Sequence, residues 1–429
     1  MRILIVADNA SSRFGGEAFL PLNYFRFLLA RKIDVRLMVH ERNKSELASL
    51  FPDDLDRLLF VRDTLLHRFA FRLGRWLPRR IAALTTDFAI QLSTQFSQKR
   101  AIIHISKTVG LDVVHVPTPV SPKTPSLLFG FDASVMMGPL NGGMDYPQAF
   151  HYQEGMLTRL SVASGRSLAN FLNIILPGKR KAQLILVANR RTREALPSGL
   201  RGRIIQLAEN GVDFAVWRRE EPRNAQEGTV KFVFVGRLVD WKAVDIILEA
   251  IARLRGTTNI SLEIIGEGPM RENWQRLSES LCLSSIVKFS GWMNQQNCAL
   301  RLQQADGFLL PSLFECGGAV VLEAMAMSLP VIATAWGGPL DYLDETCGIL
   351  VPPLSRETLI EGFSAGIKKL AESPTLRQQL GQSGYDRAKR YFDWERKIDR
   401  ILELYALVAQ HGDTNQDLAA EPELPQMLK

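Results

Sequence analysis

Between Gly307 and Gly338 the chain reads GFLLPSLFECGGAVVLEAMAMSLPVIATAWGG, and this stretch limits the fold more than any other. Phe308 to Leu310 is an apolar run that predicts a buried strand, and Pro311-Ser312 end it. Gly317-Gly318 then open a segment rich in Ala, Leu, Met and Glu, Ala319 to Met327, whose residue types favour a helix. Pro330 stops that helix, a second apolar strand (Val331 to Ala333) follows, and Gly337-Gly338 break the chain again. Two glycines at a helix start let a ligand approach bare N–H groups, where the helix dipole also favours an anion. Glu315 stands in the loop and Glu323 eight residues later in the helix. Carboxylates beside an anion site suit hydrogen bonds from sugar hydroxyls. The same residues also fit a plain packing unit whose glutamates face solvent.

The segment resembles the Glu-x7-Glu signature of glycosyltransferase family 4, the retaining, nucleotide-sugar-dependent enzymes of GT-B fold. Pro311-Ser312 ahead of the first Glu, and Glu323-Ala324-Met325-Ala326, carry the match. One position departs: the family places Phe between the glycines, and here Cys316-Gly317-Gly318 stand. The resemblance implies that Glu315 is catalytic, that Gly317 and Gly318 hold phosphate, and that Glu323 reaches the nucleotide's ribose.

At 429 residues the chain is long for one core and suits two domains. The N-terminal MRILIVADNA meets Asp8 after one short apolar run, so it reads as a first strand rather than a signal peptide. No run of about 18 apolar residues predicts a membrane span. Four scattered cysteines form no Cys-x-x-Cys pair, which argues against a zinc or disulfide framework and fits a reducing, cytoplasmic compartment.

Charge is uneven. Residues 1–210 carry 29 Lys+Arg and 16 Asp+Glu, net +13, whereas the remainder carries 23 and 29, net −6. So basic a half implies a polyanionic neighbour. In residues 62–80, at about 100° per residue, Arg68, Arg72, Arg75 and Arg79 share a stripe. Leu65, Leu66, Phe69, Leu73, Trp76 and Leu77 take the adjacent face. Such a helix fits an anionic membrane, placing the protein on the inner face of the plasma membrane; the alternative is ordinary packing with solvated arginines. No recognised nucleic-acid module accompanies it.

The remaining motifs follow in order. Ile3–Ala7, a loop with Arg13, Gly15, Gly16 and Glu17, a helix over 18–31 and a strand at Val35–Val39 open a doubly wound parallel sheet. Gly16 looks like part of the family's ligand-facing glycine loop. His115 lies near the end of a strand over 112–117, where such sheets bind ligands. The family often carries His-x-His there and this chain has Pro117, so His115 matches in part and a packing role stays open. Gly138 to Gly143 reads as irregular structure after a strand over 133–137, with Asn141 a candidate for the acceptor. Asn189 begins a capped helix. Glu209-Asn210-Gly211-Val212-Asp213 resembles the turn opening the family's second domain. The strand Val230–Gly236 leads to Arg237 and Lys242, which by resemblance grip the donor diphosphate; two cations neutralise and stabilise a diphosphate leaving group. The family's Lys-Gly reads Lys242-Ala243 here. Residues 356–386 predict helix, and Arg390–Gln410 a long amphipathic one.

The fold expected is α/β, GT-B: Rossmann-like domains over 1–208 and 209–388 facing each other, a crossover helix over 389–410, and a disordered tail over 411–429. The expected partners are a UDP- or GDP-sugar donor, a glycan or lipid-linked acceptor and an anionic membrane, with no nucleic acid and no further cofactor. No metal is expected, since basic side chains and a helix N-terminus can hold the phosphates. A nucleotide-sugar epimerase of the same fold and a non-catalytic membrane-docked assembly factor are the rival readings. Glu315, Arg237 and Lys242, all retained, weigh against the latter.

Overall fold

A computed structural model of the chain describes residues 1–13, 16–74, 76, 83–153, 169–219 and 228–410. Gly15, Arg75, Leu77, Arg79 and the tail over 411–429 lie outside the described residues. Two compact units divide the chain. One takes described residues 1–143, 169–209 and 397–410; the other takes 144–153 and 210–396.

Near-continuous apolar runs become parallel strands, because such strands are covered on both faces. In the first unit these are β1 (Arg2–Val6), β2 (Asp34–His40), β3 (Leu58–Val61), β4 (Val113–Val116), β5 (Ser134–Leu140), β6 (Leu184–Val187) and β7 (Arg203–Gln206). Their order is β3-β2-β1-β4-β5-β6-β7, with Ile3 opposite Val35 on one side and Val113 on the other. Ile3, Leu4, Ile5 and Val6 are wholly buried, as are Leu184, Ile185 and Leu186.

The second unit repeats the scheme with β8 (Val230–Val235), β9 (Ile260–Ile265), β10 (Val287–Gly291), β11 (Gly307–Leu310), β12 (Val331–Thr334) and β13 (Gly348–Val351). The order β10-β9-β8-β11-β12-β13 reverses direction between β8 and β11. An open α/β sheet binds ligands at the carboxyl ends of its strands, beside such a reversal.

Three sequence expectations change. Gly138 to Leu140 is strand, not irregular structure: β5 continues through it with a shift of register against β6. Gly138 permits this, since it has φ of +101° and a Cβ there would stand 2.3 Å from the Leu186 carbonyl oxygen. The helix expected over 356–386 is two helices, Arg356–Glu372 and Pro374–Tyr391, separated at Ser373, whose hydroxyl caps the second. The last helix begins at Trp394 rather than at 389, because Phe392 ends the preceding helix and Asp393 is left between the two. From Lys397 this helix belongs to the first unit, where Tyr405 is buried and Ser134 Oγ donates to the Val408 carbonyl at 2.7 Å. Among the described residues, no helix is long and apolar enough to cross a membrane.

Candidate active site

The two loops at the reversal of the second sheet meet. The loop after β8 carries Arg237 and a short 3-10 turn, Asp240–Lys242; the loop after β11 carries Glu315. Leu313 N–H donates to the Trp241 carbonyl at 2.8 Å, pinning one loop to the other. Lys242 Nζ makes an ion pair with Glu315 Oε2, both side chains only 14% and 15% exposed. Arg237, by contrast, is exposed on its loop. Sequence reasoning named all three residues; the direct contact between Lys242 and Glu315, 73 residues apart, is a finding of the fold.

Beyond Glu315 the helix Ala319–Ala326 starts at Gly318, which has φ of +75° and no side chain to cap the first N–H groups. These amides sit at the positive end of the helix dipole, where an anion is favoured. Glu315 is fixed at its backbone as well, its carbonyl accepting the Gly338 N–H at 2.6 Å. Glu323 lies in that helix, partly accessible, and burial pushes its carboxyl pKa up to about 8. A carboxyl that keeps its proton at neutral pH can both donate to and accept from a pair of vicinal hydroxyls.

The departure at Ala243 also has a physical reading. Ala243 adopts φ of +48° and ψ of +40°, the left-handed region where Gly costs least, as the cap between the Lys242 turn and the helix Val244–Ala252.

A segment that sequence reasoning missed packs on these loops. Residues 144–146, which follow the Gly142-Gly143 pair, belong to the second unit. Trp336 Nε1 donates to the Asp145 carbonyl at 2.9 Å, and the Tyr146 ring lies 5.2 Å from that of Phe314. The Trp336-Gly337-Gly338 run was the available signal.

In the first unit, the reversal lies between β1 and β4. Gly16 opens the 3-10 turn Gly16–Ala18 with φ of +54°. Glu17 Oε2 accepts from Val120 N–H at 3.4 Å, linking the loops after these strands. Burial raises the pKa of both Asp8, to about 6, and Glu17. This edge therefore presents carboxyl groups.

His115 stands next to last in β4 but is closed to solvent. It is wholly buried, its Nε2 donating to the Gly138 carbonyl at 2.7 Å and its Nδ1 accepting from the Tyr405 hydroxyl at 2.6 Å. A carbonyl can only accept, which fixes the tautomer and leaves neither nitrogen for a substrate. Burial lowers its pKa to about 4, so it stays neutral. The catalytic reading of His115 is thus replaced by a packing one. Asn141 is likewise buried, bonding Glu209 Oε2 at 2.5 Å and accepting from Asn189, so it is committed internally rather than to an acceptor. Asn189 caps its helix as expected, at Thr192 N–H.

His40, Asp63 and His67 form a further cluster, each offering an atom within 4.8 Å of the others. His40 Nδ1 accepts from Arg42 N–H and His67 Nδ1 from Thr64 N–H. Both imidazoles are therefore neutral with the proton on Nε2, and burial lowers both pKa values.

The family profile for glycosyl transferases group 1 matches residues 216–387. A lipopolysaccharide core biosynthesis glycosyltransferase, LpsE, of Rhizobium meliloti is 32% identical over 173 residues, covering 40% of this chain and 48% of that protein. The chain thus spans about half the length of the curated relatives it matches. Sucrose-phosphate synthase from Thermosynechococcus elongatus superimposes with a TM-score of 0.68 at 17% identity, covering 96% of this chain and 100% of that one. The Anabaena protein Alr3699/HepE, solved with UDP, does so with a TM-score of 0.65 at 14% identity, covering 95% and 100%. The chain has the GT-B fold, and its residues 216–387 match the profile of the group 1 glycosyl transferases.

Proposed function

We propose that the protein is a retaining glycosyltransferase that moves a sugar from a UDP or GDP sugar to a hydroxyl of a glycan or lipid-linked acceptor. The observation that carries this reading is the meeting of Lys242 and Glu315 beside the uncapped Gly318 helix start. Arg237, Lys242 and those N–H groups supply positive charge for a departing diphosphate, which lets the transfer run without a metal. Gly317 and Gly318 allow the phosphates to approach the backbone, and Glu323 binds the ribose. Glu315 orients the sugar and stabilises the positive charge that grows on its ring. The carboxyl-bearing edge near Asp8, Gly16 and Glu17 receives the acceptor.

The place of action we assign is the inner face of the plasma membrane, in cell-surface polysaccharide or glycolipid assembly. The named role of LpsE and the exposed apolar face of the 65–74 helix support this. The test is incubation with UDP- and GDP-sugars, following nucleoside diphosphate release with and without membrane lipid extract and with a chelator. Acceptor-dependent release and a product of retained anomeric configuration are expected. An inverted product, loss of turnover in chelator, or donor conversion without an acceptor as in an epimerase, would overturn it.

A further inference from the structure

Among the described residues of the first unit are three exposed apolar groups whose order hydrogen bonds fix. The helix Leu65–Gly74 buries only His67 and Ala70. Leu65, Leu66, Phe69 and Leu73, with Trp76 beyond the helix, are 46% to 88% exposed. At about 100° per residue these helical apolar residues fill a sector roughly a third of a turn from the His67–Ala70 side. The hydrophobic face of this helix is not the face by which it packs.

Residues 169–175 are a second helix, with Phe171, Ile174 and Ile175 56% to 57% exposed. Asn173 Nδ2 ties it to the Lys123 carbonyl at 2.9 Å, and Gly178 N–H ties the following turn to the Ser126 carbonyl at 2.8 Å.

The helix Phe88–Thr108 stands between the two. Gln98 Nε2 donates to the Ala7 carbonyl at 2.9 Å, so that side faces the sheet. On one flank Thr94 Oγ1 and Ser93 Oγ bond His67, at 2.9 and 3.2 Å. On the other flank Gln95 Oε1 accepts from Leu127 N–H at 2.8 Å, beside Ser126. Helical spacing then sends Phe96 away from the sheet, between the flanks. Phe96 is indeed 51% exposed, with the Arg100 guanidinium stacked 4.7 Å from its ring.

Charge identifies the occupant. Residues 64–74, 88–108 and 169–181 contain no Asp or Glu, and apart from the buried Lys179 they carry Arg68, Arg72, Lys99, Arg100, Lys107, Arg180 and Lys181. Apolar side chains among arginines, with a Trp, complement acyl chains beneath anionic headgroups.

We propose that Phe96 and the 169–175 helix extend the 65–74 face into one three-part anchor that enters an acidic bilayer. This rests on the membrane reading given above. It assigns residues 169–175 a role of their own: apolar burial there adds to the arginine-dependent attraction.

The test uses the full chain and sedimentation with phosphatidylcholine vesicles, with and without phosphatidylglycerol. Phe171→Ser/Ile174→Ser/Ile175→Ser should weaken binding to acidic vesicles at least about tenfold while keeping its salt dependence. Phe96→Ser should weaken it several-fold. Arg68→Gln/Arg72→Gln should weaken it and flatten the salt dependence. All these side chains are exposed, and circular dichroism verifies folding. Wild-type binding by the triple variant, alongside release of the arginine variant, would overturn the extension and leave the membrane reading standing. Failure of the wild-type protein to bind acidic vesicles would overturn both. A wild-type dimer that the triple variant splits would make this a protein interface and overturn the anchor.

Discussion

Lys242→Ala removes one half of the ion pair with Glu315. Were the pair exposed, the loss would cost under about 1 kcal/mol; were it fully buried, about 3–5 kcal/mol, because an unpaired charge remains. At 14% and 15% exposure the carboxylate keeps little water, so about 2–3 kcal/mol is expected. Adding Glu315→Gln removes the orphaned charge and should return stability to within about 1 kcal/mol of wild type. At about 2–4 °C per kcal/mol, the single variant melts roughly 5–10 °C low and the double variant recovers most of that. Nucleoside diphosphate affinity behaves differently. On the proposed role of Lys242 as a diphosphate contact, calorimetry should find it equally weakened in both variants. Melting losses that add within about 0.5 kcal/mol would show the pair to be uncoupled. Restored affinity in the double variant would remove Lys242 from the donor site.

Three further outcomes are expected. Glu323 holds its proton to about pH 8 when folded, whereas the unfolded carboxyl releases it near 4.5, so its burial costs stability as pH rises through that window. Glu323→Gln should therefore melt like wild type at pH 4, below the unfolded value, and higher than wild type at pH 9; parallel melting curves would contradict this. Ala243→Gly relieves a left-handed backbone worth about 1–2 kcal/mol and gives back about 0.4–1 kcal/mol of chain entropy, so urea denaturation should find a small net gain. His115→Phe leaves the Tyr405 hydroxyl and Gly138 carbonyl without their buried partner, a loss of about 2–4 kcal/mol, with kcat per folded molecule unchanged; a large drop in kcat in fully folded protein would return His115 to the chemistry.

The strands were legible because parallel strands covered on both faces leave plain apolar runs, such as ILIV at 3–6 and GFLL at 307–310. Glu315 and Lys242 were singled out by the family resemblance, since local spacing alone would leave Lys242 an ordinary loop cation and Glu315 a solvent-facing glutamate. His115 was not, because its partner Tyr405 lies 290 residues away and no local pattern separates a buried histidine from a catalytic one. Nor was the attachment of residues 144–146 to the second unit, which depends on Trp336. The 65–74 helix divides the two kinds of information. Periodicity gave its apolar face, but only the inward turn of His67 toward Thr94 says which face meets the protein.

The last helix gives the order of synthesis a physical meaning. Described residues 210–396 of the second unit are all made before Lys397 begins the final part of the first. Until Tyr405 and Val408 emerge, His115 and Ser134 lack their partners, and Arg31 lacks Asp399. The half of the chain translated first is thus completed last. A nonsense codon shortly before Lys397 would spare nearly all of the second unit yet leave the earlier half open along that seam. Truncated chains should then be recognised by cellular quality control through the part translated first, not through the part adjoining the cut.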